Sequence, residues 1–573
     1  MKNSVKRLFS LFLATALVVA VSACGDDEPD PDAPAVNQPD AVTLDEGTSQ
    51  TVSFNVTVPG GYASAAATAT GGTAEITSQP SAGATTGTIE VSYTAGSAPQ
   101  SGSAAGSITL TVTDAAGKTG NNTVVMTINS TFVEPTWTTE DITETRSIGG
   151  ADVEFKQTRI TGIINKDFTM TNDVAWILNG RVIVGAGATL TIEAGTIVKG
   201  ENGQGALASV LLVARDGNIQ ANGTASSPIV FTSILDDINV GEFESTLDLD
   251  NDLGLWGGVL ILGNAPIVAG ADEEQIEGIP SSVSEGLYGG SVADDNSGSF
   301  TYCSIRFTGQ QLGPGNELQG LTLGGVGSGT TIDHVESINS ADDGIEIFGG
   351  TVNISNFIVL NPDDDGFDTD QGWSGTATNI VYIGQKNGVG FDSDHPFELD
   401  GPEGDDAGDP EIGKFRGGTA WGRSASDFAD LRDGAQYDMQ DVYFFGFNSG
   451  VDLELDADGT VVNPGTSNEE TLSDDPTNSD NYANDIIIFS GNEFNVDASD
   501  MANAFTIDAV LNDKLSASLV AAKANQITDN ETVKFPANNS VVTTANKTKG
   551  ADVSVLSWSY TAMLNLLSGA DFQ

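Results

Sequence analysis

The sequence predicts an all-β protein, a right-handed parallel β-helix solenoid preceded by an immunoglobulin-like β-sandwich. Three observations predict it. The dipeptides Asp343-Gly344, Asp365-Gly366 and Asn387-Gly388 recur at steps of 22 residues, each behind a β-rich stretch at 332–338, 354–360 and 379–383. A helix has no reason to repeat at that interval, whereas one coil of a parallel β-helix has about that length. Residues 41–131 instead alternate short β-rich runs with Gly, Ser, Ala and Pro turns, the spacing of a sandwich. The chain also holds only Cys24 and Cys303, so its stability has to come from repetitive packing or from ions.

The N-terminus carries Lys2, Lys6 and Arg7 ahead of an apolar run at 8–20, the order of charges and apolar residues in a secretory signal. That run is shorter than the roughly 20 residues a membrane span needs. It leads into Val21-Ser22-Ala23-Cys24, which resembles a lipobox. The expectation is a signal peptide at 1–23, lipid on Cys24, and a partner membrane held through those acyl chains. Residues 24–40 read as an acidic flexible tether. Its Gly25-Asp26-Asp27-Glu28 resembles the surface-export signal of lipoproteins in the Bacteroidota, which implies an outer-membrane lipoprotein displayed at the cell surface.

The sandwich strands are expected at 52–58, 89–93, 108–113 and 123–128, in a module that lifts the β-helix off the membrane. The β-helix is expected over 132–460. Its early coils lie at 181–200, 211–224, 227–233 and 256–263, an insertion lies near 396–436, and a further coil returns at 442–451. Glycine in each turn can take the left-handed conformation, and the Asp or Asn beside it can stack on its counterpart one rung away. Residues 461–573 are expected to hold further rungs and a cap, with 558–567 as a short amphipathic helix over the open end. The segments 320–332, 342–353 and 363–370 resemble secreted or lipid-anchored parallel β-helix proteins of the Bacteroidota, a resemblance that covers about 140–460 and implies no established reaction.

With 80 acidic against 22 basic residues, a formal charge of −58, nucleic acid is excluded as a partner. Acid is densest at Asp342, Asp343 and Glu346, at 363–365, 368 and 370, and at Asp392 and Asp394. One rung apart, such carboxylates stand about 4.8 Å from one another and repel. Ca²⁺, which takes six to eight oxygens in flexible geometry, is the cofactor that would offset the repulsion. Its candidate ligands are Asp343, Asp363, Asp365, Asp368, Asp370, Asp392 and Asp394. The competing reading is a solvated acidic face. An EF-hand is rejected, since Gly372 stands where the bidentate glutamate would be.

Two enzyme chemistries suit the fold. Polygalacturonase-like hydrolases use an adjacent Asp pair, which Asp342-Asp343 matches, but His334 and His395 lack the glycine setting that goes with it. Pectate-lyase-like enzymes add a basic residue to Ca²⁺. Here Lys414, Arg416, Arg423 and Arg432 are candidates that no spacing distinguishes, and two distant histidines do not make a zinc site. The favoured reading is a binding or scaffold module for polysaccharide, with a polysaccharide lyase or glycoside hydrolase as the alternative. An enzyme requires Asp342, Asp343, Glu346 or Asp368 beside Lys414, Arg416 or Arg423. Trp256, Trp373 and Trp421 serve either sugar stacking or packing.

Overall fold

The computed structural model describes residues 31–96, 103–129, 137–148, 151–203, 208–310, 318–386, 393–401, 412–423, 428–431, 435–447, 451–453, 488–495, 505–507 and 538–573. The chain forms two compact units, one within residues 1–129 and one from 130 to 573, with residues 98–103 assigned to the second. Cys24 and the signal segment lie outside the described residues.

The first unit contains two four-stranded sheets. Strand Ser49–Thr57 shows how they form: Val52, Phe54 and Val56 are buried while the residues between them face water, the period of two that a half-buried strand requires. Tyr93, buried in one sheet, donates its hydroxyl to the Thr70 carbonyl oxygen in the other at 2.8 Å.

The second unit opens on an antiparallel hairpin, Thr138–Ile148 with Ala151–Ile164. From there its strands stack in parallel into three ladders that run the length of the unit. One ladder passes through Val210–Val213, Gly258–Leu262, Leu321–Gly324, Ile345–Phe348, Phe367–Asp370, Phe397–Leu399, Ala429–Leu431 and Val451–Leu453. We call it the acidic ladder. The other two share long strands that bend midway. In Thr331–Ile338 the bend falls at His334 (φ 53°), in Asn353–Leu360 at Asn356 (53°) and in Thr376–Ile383 at Asn379 (54°). Residues before the bend form the polar ladder. Residues after it, such as Val335 to Ile338, form the strapped ladder, named for the segment that covers it. Left-handed φ is tolerated best by Asn, and here each Asn also bonds its neighbour one rung away: Asn379 Nδ2 donates to Asn356 Oδ1 (2.7 Å), and Asn356 Nδ2 to Asp333 Oδ1 (2.7 Å).

Inward residues of all three ladders make one continuous core, from Ile160 to Phe494. Trp256 and Trp373 belong to it, donating to the backbone oxygens of Arg306 and Val352, so they pack rather than await sugar. Cys303 is likewise fully buried, and burial pushes its thiol up, which leaves it inert as a nucleophile.

Three expectations need correction. Asn387-Gly388 lies outside the described residues, and the 22-residue step does not continue there: Phe367 pairs with Phe397, so the third coil is 30 residues long and Pro396 follows Gly366 in register. Residues 396–436 are not simply an insertion, because Phe397–Leu399 and Gly413–Trp421 together supply one rung to all three ladders and Ala429–Leu431 begins the next. The short helix Tyr560–Met563 does not close an end of the solenoid. It lies on the flank, where Leu556, Tyr560, Leu567 and Phe572 cover the outer apolar face of the strapped ladder, Ile338, Ile358, Leu360, Val381 and Ile383.

That strap is fastened by a buried carboxylate. Glu336, with no exposed surface, accepts the Tyr560 N–H (2.8 Å), the Thr561 N–H (3.1 Å) and the Thr561 hydroxyl (2.9 Å). Arg306 lies over the Tyr560 ring at 4.3 Å. Glu336→Ala strands those donors and removes the carboxylate that acts on Arg306. The expected loss is about 3 kcal/mol in urea unfolding, with the strap becoming sensitive to protease before the core. Unchanged stability and protection would refute the fastening role.

Candidate metal centre

The outward column of the acidic ladder changes character along the solenoid. Its upper positions are apolar, Ile183, Leu212 and Leu260, and residues 276–288 roof that part with Ile276, Ile279, Val283 and Tyr288. Thr322 follows, and then the same position is occupied in register by Glu346, Asp368, Glu398 and Asp430. The cause is local. Each acid sits between residues turned into the core, as in Ile345-Glu346-Ile347 and Phe397-Glu398-Leu399, so strand alternation turns it outward, and parallel register stacks it on the next.

The turn entering the ladder adds more acid at the same height. Asp343 accepts the backbone N–H of Asp365 on its Oδ1 at 2.9 Å, so the two turns are tied one rung apart. Asp343, Glu346 and Asp368 are 6%, 7% and 9% exposed, and each offers an oxygen within 4.8 Å of the others. Burial raises both the Asp343 and Glu346 carboxyls well above the usual range. The charged neighbours that raise them further are carboxylates, Asp342 and Asp368 acting on Asp343, and Asp368, Glu277 and Asp343 acting on Glu346. Glu346 Oε2 is buried with no hydrogen-bond partner. A buried, acceptor-only oxygen among other carboxylates is a poor arrangement for anions alone and a suitable one for a hard cation, which would find its oxygens in Asp343, Glu346 and Asp368.

One rung further, Asp365, His395 and Glu398 form a second group, also within 4.8 Å of one another. Asp365 is 1% exposed and its Oδ1 accepts both the His395 backbone N–H (2.6 Å) and its Nδ1 (3.2 Å). Burial works against the imidazolium, but the bond to Asp365 and the charges of Asp365, Asp430 and Asp394 outweigh it and push His395 up to about 9. This pair is a charged tie between turns. The third group, Asp342, Asp343 and Asp364, is more open.

Of the expected ligands, Asp343 and Asp368 thus meet directly, and Asp365 meets His395 instead. Asp394 stands 3.8 Å from His395 Nε2. Asp363 donates its N–H to Ser340 O, and Asp370 accepts the Gln371 N–H, both in turns outside these groups. Asp392 and Arg432 lie outside the described residues. Glu346, Glu398 and Asp430 are the residues missing from the expected ligand set. The signal that marks them is an acid between two apolar residues at the head of each rung.

The bases expected of an enzyme are elsewhere. Lys414 and Arg416 belong to the polar ladder, and Arg416 pairs with Asp438 one rung away. Arg423 lies over the Trp421 ring at 5.0 Å and reaches Asn361 Oδ1 at 3.3 Å. None of the three is among the groups acting most strongly on Asp343 or Glu346.

A family model described as a pectate-lyase-like β-helix domain matches residues 162–508, well over half of the chain. The chain belongs to this pectate-lyase-like β-helix family. No curated protein and no solved structure gives a match. Membership fits a polysaccharide-related role. Within this pectate-lyase-like β-helix, the acidic column is where carboxylates gather in register.

The raised carboxyls set a pH dependence. Folded Asp343 and Glu346 hold protons above the pH at which their unfolded counterparts release them, so metal-free stability falls as pH rises from about 4 upward. Calorimetry in chelator should show that slope flattened by Asp343→Asn with Glu346→Gln; an unchanged slope would assign it to the rest of the acidic surface. His395 acts later: its stabilisation is complete below about pH 6.5 and is lost as pH passes about 9, a loss His395→Gln should abolish.

Proposed function

We propose that the second unit is a divalent-cation-dependent polysaccharide-binding module, carried by a lipoprotein that is anchored through Cys24 and displayed at the surface of an outer membrane. Ca²⁺ is the cation best suited to the oxygens of Asp343, Glu346 and Asp368, and the observation that carries the reading is the unpartnered, buried Glu346 Oε2 among them. Bound there, the ion would neutralise the raised carboxyls and keep part of its coordination for an acidic sugar on the open lower rungs. The sandwich-like first unit acts as an immunoglobulin-like spacer, and the N-terminal motif and the Bacteroidota resemblance support the location.

Binding is favoured over cleavage because, among the described residues, Lys414 and Arg416, two of the bases that elimination would call on, stand on another ladder. Hydrolysis by the carboxylates themselves is the second reading, favoured by how closely Asp343, Glu346 and Asp368 approach one another.

Thermal unfolding of the chain with Ca²⁺ at about 100 times its Kd should gain about 2.7 kcal/mol over chelator, and Glu346→Gln should erase that gain. Soluble uronate polysaccharides should bind only with Ca²⁺ present. No Ca²⁺ response refutes the metal reading. Release of unsaturated or reducing ends replaces binding with catalysis.

A further inference from the structure

The polar ladder presents a second surface with a different chemistry. One outward column runs Thr191, Gln220, Ser299, Thr331 and Asn353, each paired in register with the next, and on to Thr376, whose N–H donates to Asn353 Oδ1. The continuous strand pairing places these side chains about 4.8 Å apart up the column, and the parallel column two residues along, with Asn222, Thr301, Asp333, Ser355 and Thr378, lies about 6.6 Å to its side. All are half-buried or exposed. Every one except Asp333 offers a hydroxyl or an amide, groups that both donate and accept.

Charge separates this face from the rest of the molecule. The chain carries −58, yet among the described residues the outward strand positions of the polar ladder from Thr189 to Ser490 hold only Asp333, Lys414, Arg416 and Asp438 as charged residues. Two positive and two negative charges cancel. A flat array of donors and acceptors with no net charge suits a neutral, extended, hydroxyl-rich partner. It does not suit an ion, a nucleic acid or an acidic chain.

We infer that the polar ladder is a docking face for the flat surface of a neutral polysaccharide, distinct from the acidic column and independent of metal. Each exposed hydrogen bond contributes little against water, so affinity comes from many rungs engaged together.

The test is depletion of the full chain from solution by microcrystalline cellulose and by chitin powder, in chelator so that the acidic column is silent. The wild-type chain should bind at least one of them. Thr331→Ala, Asn353→Ala and Thr376→Ala combined should weaken that binding at least tenfold at unchanged Tm, and the single change Asn353→Glu should weaken it by charge alone. No depletion by either solid, or equal depletion by the variants, overturns the inference. A dimer in sedimentation that the triple variant dissolves also overturns it, since a second copy of the chain would then be the occupant. Ca²⁺-dependent uronate binding by the same triple variant is expected to be intact, so failure here and failure of the acidic column are read separately.

Discussion

Vertical register is the constraint on which the second unit depends. In a parallel stack each side chain meets its counterpart about 4.8 Å away, above and below, for as long as the ladder runs. Whatever occupies a column must therefore tolerate copies of its own kind. Apolar residues do, and they form the continuous core; asparagines do, and Asn356 and Asn379 bond one another across rungs. Carboxylates do not. A column of Glu346, Asp368, Glu398 and Asp430 opposes the geometry that creates it, which marks this column, rather than acidity in general, as the place where something other than protein is expected.

The same constraint explains why the flanks differ. A solenoid has outer faces as well as a core, and each outer column must be wetted, covered or filled. Apolar rungs at the head of the acidic ladder are roofed by residues 276–288. The apolar face of the strapped ladder is covered by the C-terminal segment, fastened through Glu336. The polar ladder is left open with hydroxyls and amides, and the lower acidic ladder is filled with carboxylates, most of them buried. Chemistry is confined to the two faces that are not spent on packing.

The coil repeat was legible because Asp343-Gly344 and Asp365-Gly366 occupy the same turn in consecutive rungs, 22 residues apart. The next pair in the series, Asn387-Gly388, misled because that rung is eight residues longer and its true counterpart, Pro396, has no turn signature. The acids at 343 and 368 were legible from their local density. Glu398 and Asp430 were not, since they are 32 residues apart in sequence and become neighbours only once the register is known. The strap was illegible in kind. Its partners Glu336 and Tyr560 are 224 residues apart, and nothing in the local pattern of either points to the other.

The lengths of successive rungs carry one more consequence. From Leu321 to Ile345, Phe367 and Phe397 the chain advances by 24, 22 and 30 residues, yet the outward position is held throughout. All variation in length is expelled at the corners, so a loop can grow or shrink without moving the column. A single residue lost inside a strand would do the opposite, turning acids inward and core outward in that rung. The solenoid is thus a ruler whose marks are fixed and whose margins are free: new loops can be tried at its edges while the spacing of its carboxylates stays the same.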